Sequence, residues 1–238
     1  MKNIDIVSLF PEIIDSYINN SPITKSLDDK DLLISTHQLR NFSLDKHKRV
    51  DDKQYGGDPG MVLMAEPLIK SIDHISELRG SKPLTILMSP QGKKLDPKLL
   101  SEILERDCIA VICGRYEGVD ERFIEEKVDI EVSIGDFIVS GGELPSLILI
   151  ESLLRFLPGV IGNEMSLDND SFGINFQNLL KGPVYTRPKI INGREVPEIL
   201  LSGDPKKILK WRENISKKRS STALPWTRTN KPNHNVSL

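Results

Sequence analysis

The sequence predicts an α/β protein: a mostly parallel sheet covered on both faces, followed by a small α-helical C-terminal domain. Three observations carry that expectation. Short apolar runs such as LTILM (Leu84–Met88) and IAVIC (Ile109–Cys113) lack the polar alternation of a half-exposed strand, so both faces are buried. Stretches with helical periodicity separate these runs. Between Lys206 and Lys231 a basic block takes over, with nine Lys and Arg against one acid, Glu213.

In chain order, Lys2 to Leu9 reads as a strand, and Pro11 opens a helix through Ile18. Leu32 to Leu39 is a second strand. Arg40 to Gly60 is polar and ends in QYGGDPG, a loop by its glycine and proline content. Apolar residues at Leu68, Ile69, Ile72, Ile75 and Leu78 give the spacing of a helix over Glu66–Leu78. The strands Leu84–Met88, Ile109–Cys113 and Ile130–Val139 follow, the last broken at Gly135, with helices over Pro97–Arg106 and Val119–Lys127 between them. Glu143–Phe156 is a nearly all-apolar helix suited to burial, stopped by Pro158-Gly159. The chain then turns polar from Gly162 to Asn178, as a linker does.

A chain of 238 residues with 38% hydrophobic and 28% charged residues can bury a core, as one large domain or two modest ones. The net charge of −2 supplies no global field toward DNA or membrane, so the basic C-terminal block is the feature that points to a polyanion. Cys108 and Cys113 lie in an apolar run without metal-ligand spacing and read as buried, reduced thiols. Asp5 and Glu12 interrupt any would-be signal peptide, and no apolar run approaches membrane-spanning length; a cytoplasmic protein is expected.

In open α/β sheets, ligands bind outside the carboxyl ends of the strands. There the sequence places SPQG (Ser89–Gly92), GRYEG (Gly114–Gly118) and IGDFIVSGGELP (Ile134–Pro145), each with glycine where backbone bends or lies flush against a ligand. Neither a GxxxxGK[ST] phosphate loop nor a GxGxxG fingerprint after the first strand is present. Backbone groups, apolar flanks and a few acids (Glu117, Asp120, Asp136) suit an adenine ring with an adjacent cation such as a sulfonium.

The segments YGGDPGM, CGRYEGVDER, SIGDFIVSGGELP, RFLPGV, DSF and YTRP, in this order, closely resemble those of the bacterial tRNA (guanine-37-N1)-methyltransferases of the SPOUT class. The resemblance covers residues 1–215. It implies a deep trefoil knot and S-adenosylmethionine as methyl donor. It also implies a homodimer acting on tRNA with guanosines at positions 36 and 37, which supports maintenance of the reading frame. The implied domains are a knotted catalytic domain over 1–161, a flexible interdomain linker over 162–178 and a helical, basic tRNA-binding domain over 179–238. The implied donor-binding residues are Leu87, Pro90, Gly114, Tyr116, Glu117, Ile134, Gly135, Asp136, Phe137, Ile138, Val139, Gly141, Gly142, Leu144 and Pro145.

Guanine N1 carries a proton at neutral pH, so methylation needs a base to remove it and a cation to meet the charge that grows on O6. The DSF and RF motifs assign these roles by resemblance to Asp170 and Arg155, with Arg155 also a tRNA contact. Glu117 is the implied Mg²⁺ contact, and Lys206, Lys207, Lys210 and Arg212 are the expected contacts to tRNA phosphates. Asp58 stands where the family pattern has a third glycine, Lys181 where many relatives carry an acid, and STALPWTRTNKPNHNVSL departs from the family's usual ending. Two other readings share parts of this pattern: a SPOUT enzyme methylating a ribose 2′-hydroxyl, and an RNA-binding protein without catalysis. The DSF and RFLPG segments favour base methylation.

Overall fold

The computed structural model describes residues 2–21, 32–157, 160, 170–173 and 179–223. The chain divides into two compact units, Met1–Ile161 and Gly162–Leu238.

In the first unit, β1 (Lys2–Ser8), β2 (Leu32–Gln38), β5 (Leu84–Lys94), β6 (Cys108–Cys113) and β7 (Ile130–Ser133) form one sheet in the order β2-β1-β6-β5-β7, with every pairing parallel. All six residues of β6 are buried, as a central strand covered on both faces requires. Its side chains alternate. Ile109, Val111 and Cys113 pack with α1 (Pro11–Asn20), α3 (Pro97–Leu104) and α5 (Glu143–Arg155); Ala110 and Ile112 face α2 (Ala65–Arg79) and α4 (Glu121–Lys127). The parallel α/β expectation is met, with no antiparallel strand in this sheet.

Three details depart from the sequence reading. The polar stretch after β2 holds a short 3₁₀ turn (Leu39–Phe42) and an antiparallel hairpin, β3 (Asp51–Lys53) with β4 (Met61–Leu63), around the glycine-rich tip. Strand β7 stops at Ser133, so Ile134–Val139 is a loop and not the second half of a strand. Strand β5 continues past Met88 to Lys94, with Met88 and Lys93 both opposite Val132; SPQG therefore bulges out within a strand. Gly92 sits in that bulge for a steric reason. A Cβ there would lie 2.3 Å from the carbonyl carbon of Glu131 on the neighbouring strand.

The second unit carries a two-stranded hairpin, β8 (Ile190–Ile191) with β9 (Arg194–Glu195), then α6 (Glu198–Leu201) and the long α7 (Pro205–Ala223). Of the expected linker, only residues 170–173 lie among those described. No helix among the described residues is long and apolar enough to cross a membrane.

A buried charge cluster fixes α2 to the sheet. Asp5, fully buried on β1, lies 2.7 Å from Nε2 of His37 and accepts two hydrogen bonds from Arg79, at 2.8 and 2.9 Å. Arg79 also donates to Ser35 Oγ at 3.0 Å, so the last turn of α2 is bound to both β1 and β2. Burial alone would raise the Asp5 pKa, but the hydrogen bonds from His37 and Arg79 outweigh it and hold it below its ordinary value.

Asp5→Ala leaves Arg79 without its carboxylate, and denaturant melts are expected to show a loss of about 3–5 kcal/mol. The contribution of Asp5 is present above the unfolded carboxylate value and is lost as pH falls through the lowered folded value. The stability gap between wild type and Asp5→Asn is therefore expected to hold at neutral pH and to narrow only below about pH 4.

Candidate active site

The loop after β6 and the loop after β7 meet backbone to backbone. The Gly142 N–H donates to the Gly114 carbonyl at 2.8 Å, and Arg115 bridges Gly141 in antiparallel fashion. Glycine is dictated at this crossing. A Cβ on Gly142 would fall 2.6 Å from Cys113 Cα and 2.7 Å from Gly114 N, and one on Gly141 would fall 2.3 Å from Arg115 Nε. Gly135, buried at φ 149°, turns the chain so that the Phe137 ring folds back over it. Tyr116 adopts φ 62°, uncommon for a residue with a side chain, and leaves its ring half exposed.

The β3–β4 hairpin closes one side of this crossing. Glu117 N–H donates to Met61 O at 3.0 Å, Leu63 N–H to Gly118 O at 3.0 Å, and Asp120 N–H to Leu63 O at 2.9 Å. Gly60 lies against the Glu117 side chain so closely that a Cβ would meet its Cγ at 2.6 Å. The glycine-rich loop is exposed and borders the crossing through Gly60, beside Glu117.

Arg115 and Glu143 were not singled out by the sequence reading, yet they tie the crossing to β1. Glu143 is 2% exposed and accepts from Ser8 Oγ at 2.7 Å, while its Oε2 lies 3.0 Å from Arg115 Nη2. That ion pair is not aligned as a hydrogen bond, and Arg115 Nε and Glu143 Oε2 make none. The Arg115 guanidinium also reaches the Ser140 carbonyl at 3.3 Å and covers the Phe10 ring at 4.6 Å. The available signal was a charge of each sign placed beside glycine in GRYEG and GGELP.

Of the implied donor-binding residues, the structure brings Gly114, Gly141 and Gly142 into direct contact, with Tyr116 and Glu117 following Gly114 in the same loop. Phe137, Ile138, Val139 and Leu144 present exposed apolar side chains, and Ile134 is half-buried. Asp136 is exposed and pairs with Lys94 at 3.6 Å. Pro145 is buried in the first turn of α5, and Pro90 is exposed in the β5 bulge. Leu87 is a core residue beneath α2 and α4. Asp120 caps α4, where the hydrogen bond from Arg122 holds its carboxyl below the usual value. Cys113, against Ser146 at 3.1 Å, is pushed up by burial to about 12 and stays a thiol.

Arg155 is exposed at the last turn of α5, and Asp170 belongs to the second unit. Lys206, Lys207, Lys210 and Arg212 are exposed on α7, where Asp204 caps the helix by accepting from the N–H groups of Lys206 and Lys207. Among the described residues no group of three or more His, Cys, Asp or Glu is arranged to hold a metal.

The crossing presents exposed apolar side chains at Tyr116, Phe137, Ile138 and Leu144 that suit the flank of a nucleoside-sized group, while its glycines are filled by the protein's own backbone and side chains. Gly142→Ala drives a methyl group into the backbone of Cys113 and Gly114. Thermal melts are expected to show a loss of about 1–3 kcal/mol from overpacking, and calorimetric titration a weakened affinity for S-adenosylmethionine.

The family model described as tRNA (Guanine-1)-methyltransferase TrmD matches residues 1–225. A protein of Ruminiclostridium cellulolyticum named tRNA (guanine-N(1)-)-methyltransferase is 41% identical over 232 residues, covering 98% of each chain. One of Vibrio vulnificus with the same name is 46% identical over 210 residues, covering 88% of this chain and 83% of the relative. A third, from Hydrogenovibrio crunogenus, is 41% identical over 221 residues, 93% of this chain and 92% of its own.

Proposed function

The chain belongs to the tRNA (Guanine-1)-methyltransferase family, and on that premise we propose that it methylates N1 of guanosine 37 in tRNAs that also carry guanosine at position 36. S-adenosylmethionine, when bound, supplies a methyl group on a sulfonium. The observation that carries the reading is the close glycine-to-glycine crossing of the 114–118 and 134–142 loops, bordered by the exposed apolar side chains of Tyr116, Phe137, Ile138 and Leu144. The trefoil knot is part of the proposal. It is supported by the chain's membership of the family.

The chain's residues then divide the work. The carboxylate of Asp170 takes the N1 proton, and the freed lone pair forms the new N–C bond as the S–C bond breaks. The guanidinium of Arg155 meets the negative charge that grows on O6. Glu117 is the proposed Mg²⁺ contact. A single carboxylate suits an ion that completes its shell with water and substrate oxygens. Lys206, Lys207, Lys210 and Arg212 hold tRNA phosphates and position the substrate without reading its sequence.

The unit over Gly162–Leu238 is, in this reading, the tRNA-binding domain, and the unit over Met1–Ile161 the catalytic one. A homodimer is part of the proposal, supported by the chain's membership of the family. The setting is the cytoplasm, where tRNA is modified.

The test supplies unmodified tRNA transcripts, Mg²⁺ and labelled S-adenosylmethionine, then locates the methyl by nuclease digestion and mass spectrometry. A methyl on N1 at position 37, absent when that base is adenosine, is expected; a methyl on a ribose overturns the reading. Asp170→Ala is expected to slow single-turnover transfer about 10²–10⁴-fold with donor affinity intact by calorimetry. Loss of donor binding in that variant would remove Asp170 from the role of base.

A further inference from the structure

The second unit contains a concavity of about 950 Å³ whose lining includes Lys181, Arg187, Lys189 and Arg212 together with the ring of Tyr185. No acidic residue lines it among the described residues. Planar guanidinium forks match phosphate oxygens, and an aromatic face accepts a base or a ribose. The exposed Lys206, Lys207 and Lys210 continue the positive surface along α7, the helix that contributes Arg212. Val184, Val196, Leu200, Leu201 and Ile208 make up an apolar part of the lining, and the cations beside it suit the phosphates of an RNA backbone.

Lys181 is engaged on a second side. Its Nζ lies 3.7 Å from Oδ1 of Asp170. The backbone enforces this proximity: Lys181 N–H donates to Ser171 Oγ at 3.1 Å, and Phe172 N–H donates to Leu179 O at 2.8 Å. Gly173 N–H closes the Asp170 turn at 3.0 Å, with Phe172 in the left-handed region at φ 67°. The adjoining residue, Leu180, is fastened to α7, its N–H donating to Ser220 Oγ at 2.9 Å and its carbonyl accepting from Ser216 Oγ. One short segment therefore places Lys181 both in the lining of the concavity and beside Asp170.

The side chains of Lys181 and Asp170 are 37% and 43% exposed, and ion pairs that open to water are weak. Such a pair exchanges readily for another anion. We propose that Lys181 is a shared cation: in the free protein it pairs with Asp170, and when an RNA phosphate occupies the concavity the ammonium transfers to it. The exchange moves the ammonium from the Asp170 side of the segment to the RNA side. This rests on the reading of Asp170 as the base and of RNA as the substrate.

The consequence can be read by binding alone. An unmodified tRNA transcript is titrated into the full-length protein as wild type, Asp170→Asn, Lys181→Met and the double variant. Asp170→Asn releases the cation and is expected to tighten binding about two- to fivefold, the range that exposed ion pairs span. In the Lys181→Met background the same change is expected to give no gain. Lys181→Met should also lower the salt dependence by about one phosphate contact, and Lys181→Arg should restore it.

An equal gain from Asp170→Asn in both backgrounds would be a general charge effect and would overturn the proposal, as would no gain in either. If wild type binds no tRNA, the functional reading itself fails. Wild type that binds and methylates without this coupling sinks the shared cation alone.

Discussion

The close approach of two backbones at Gly114 and Gly142 is the constraint on which the first unit depends. With the Gly142 N–H on the Gly114 carbonyl, the loop after β7 is pinned over the end of β6, and α5 starts immediately beyond it. Every neighbouring choice follows from the lack of room. Gly141 must yield to the Arg115 guanidinium, Gly135 must turn under Phe137, and Gly92 must pass flush against β7. Backbone crowded this closely has few spare hydrogen-bond partners. The buried ionic contacts of Arg115 and Glu143 with Ser8, Ser140 and Phe10 secure the loops from the side-chain layer instead. Removing either charge would strand the other in a dry place, which is costlier than never burying the pair.

The molecule uses carboxylates in two opposite ways, and exposure decides which. Asp5 has no exposed side-chain surface and is surrounded by Arg79 and His37, so its charge is locked in and its pKa is lowered. It serves stability, holding α2 against β1 and β2. Asp170 is open to water and pairs with Lys181 at a longer distance. A pair of that kind adds little to folding and is free to rearrange.

Much of the first unit was legible in the sequence. Unalternating apolar runs named the central strands, and the glycine-rich segments after them marked the edge where the loops gather. What failed to show has physical reasons. A hairpin as short as β3–β4 carries no periodicity, since Asp51–Lys53 is wholly polar and its pairing is set by the loop it docks on. The apolar Phe137-Ile138-Val139 mimicked a strand by composition, although its side chains are exposed in a loop instead of buried in a core. SPQG looked like a strand end, and only the neighbouring backbone of β7 shows that the strand resumes after it. Arg115 and Glu143 are separated by 27 intervening residues, and no local pattern links charges at that distance.

The basic block of α7 offers the sharper lesson, because the sequence drew attention to the outward face of the helix while the inward face sets its packing. Its Lys and Arg side chains are exposed, whereas Ser216 and Ser220 are buried. Two serines one turn apart on an inward face make a poor hydrophobic seam. They make a good clamp for an extended segment, because one accepts the Leu180 N–H and the other donates to its carbonyl. The orientation of the helix is thereby fixed relative to Lys181 and the Asp170 turn. A helix packed by apolar contacts alone could slide or rotate with little change in energy, whereas paired hydrogen bonds to one residue set both register and direction. The outward cations of α7 and the carboxylate of Asp170 accordingly keep a fixed relation through a single backbone residue, Leu180.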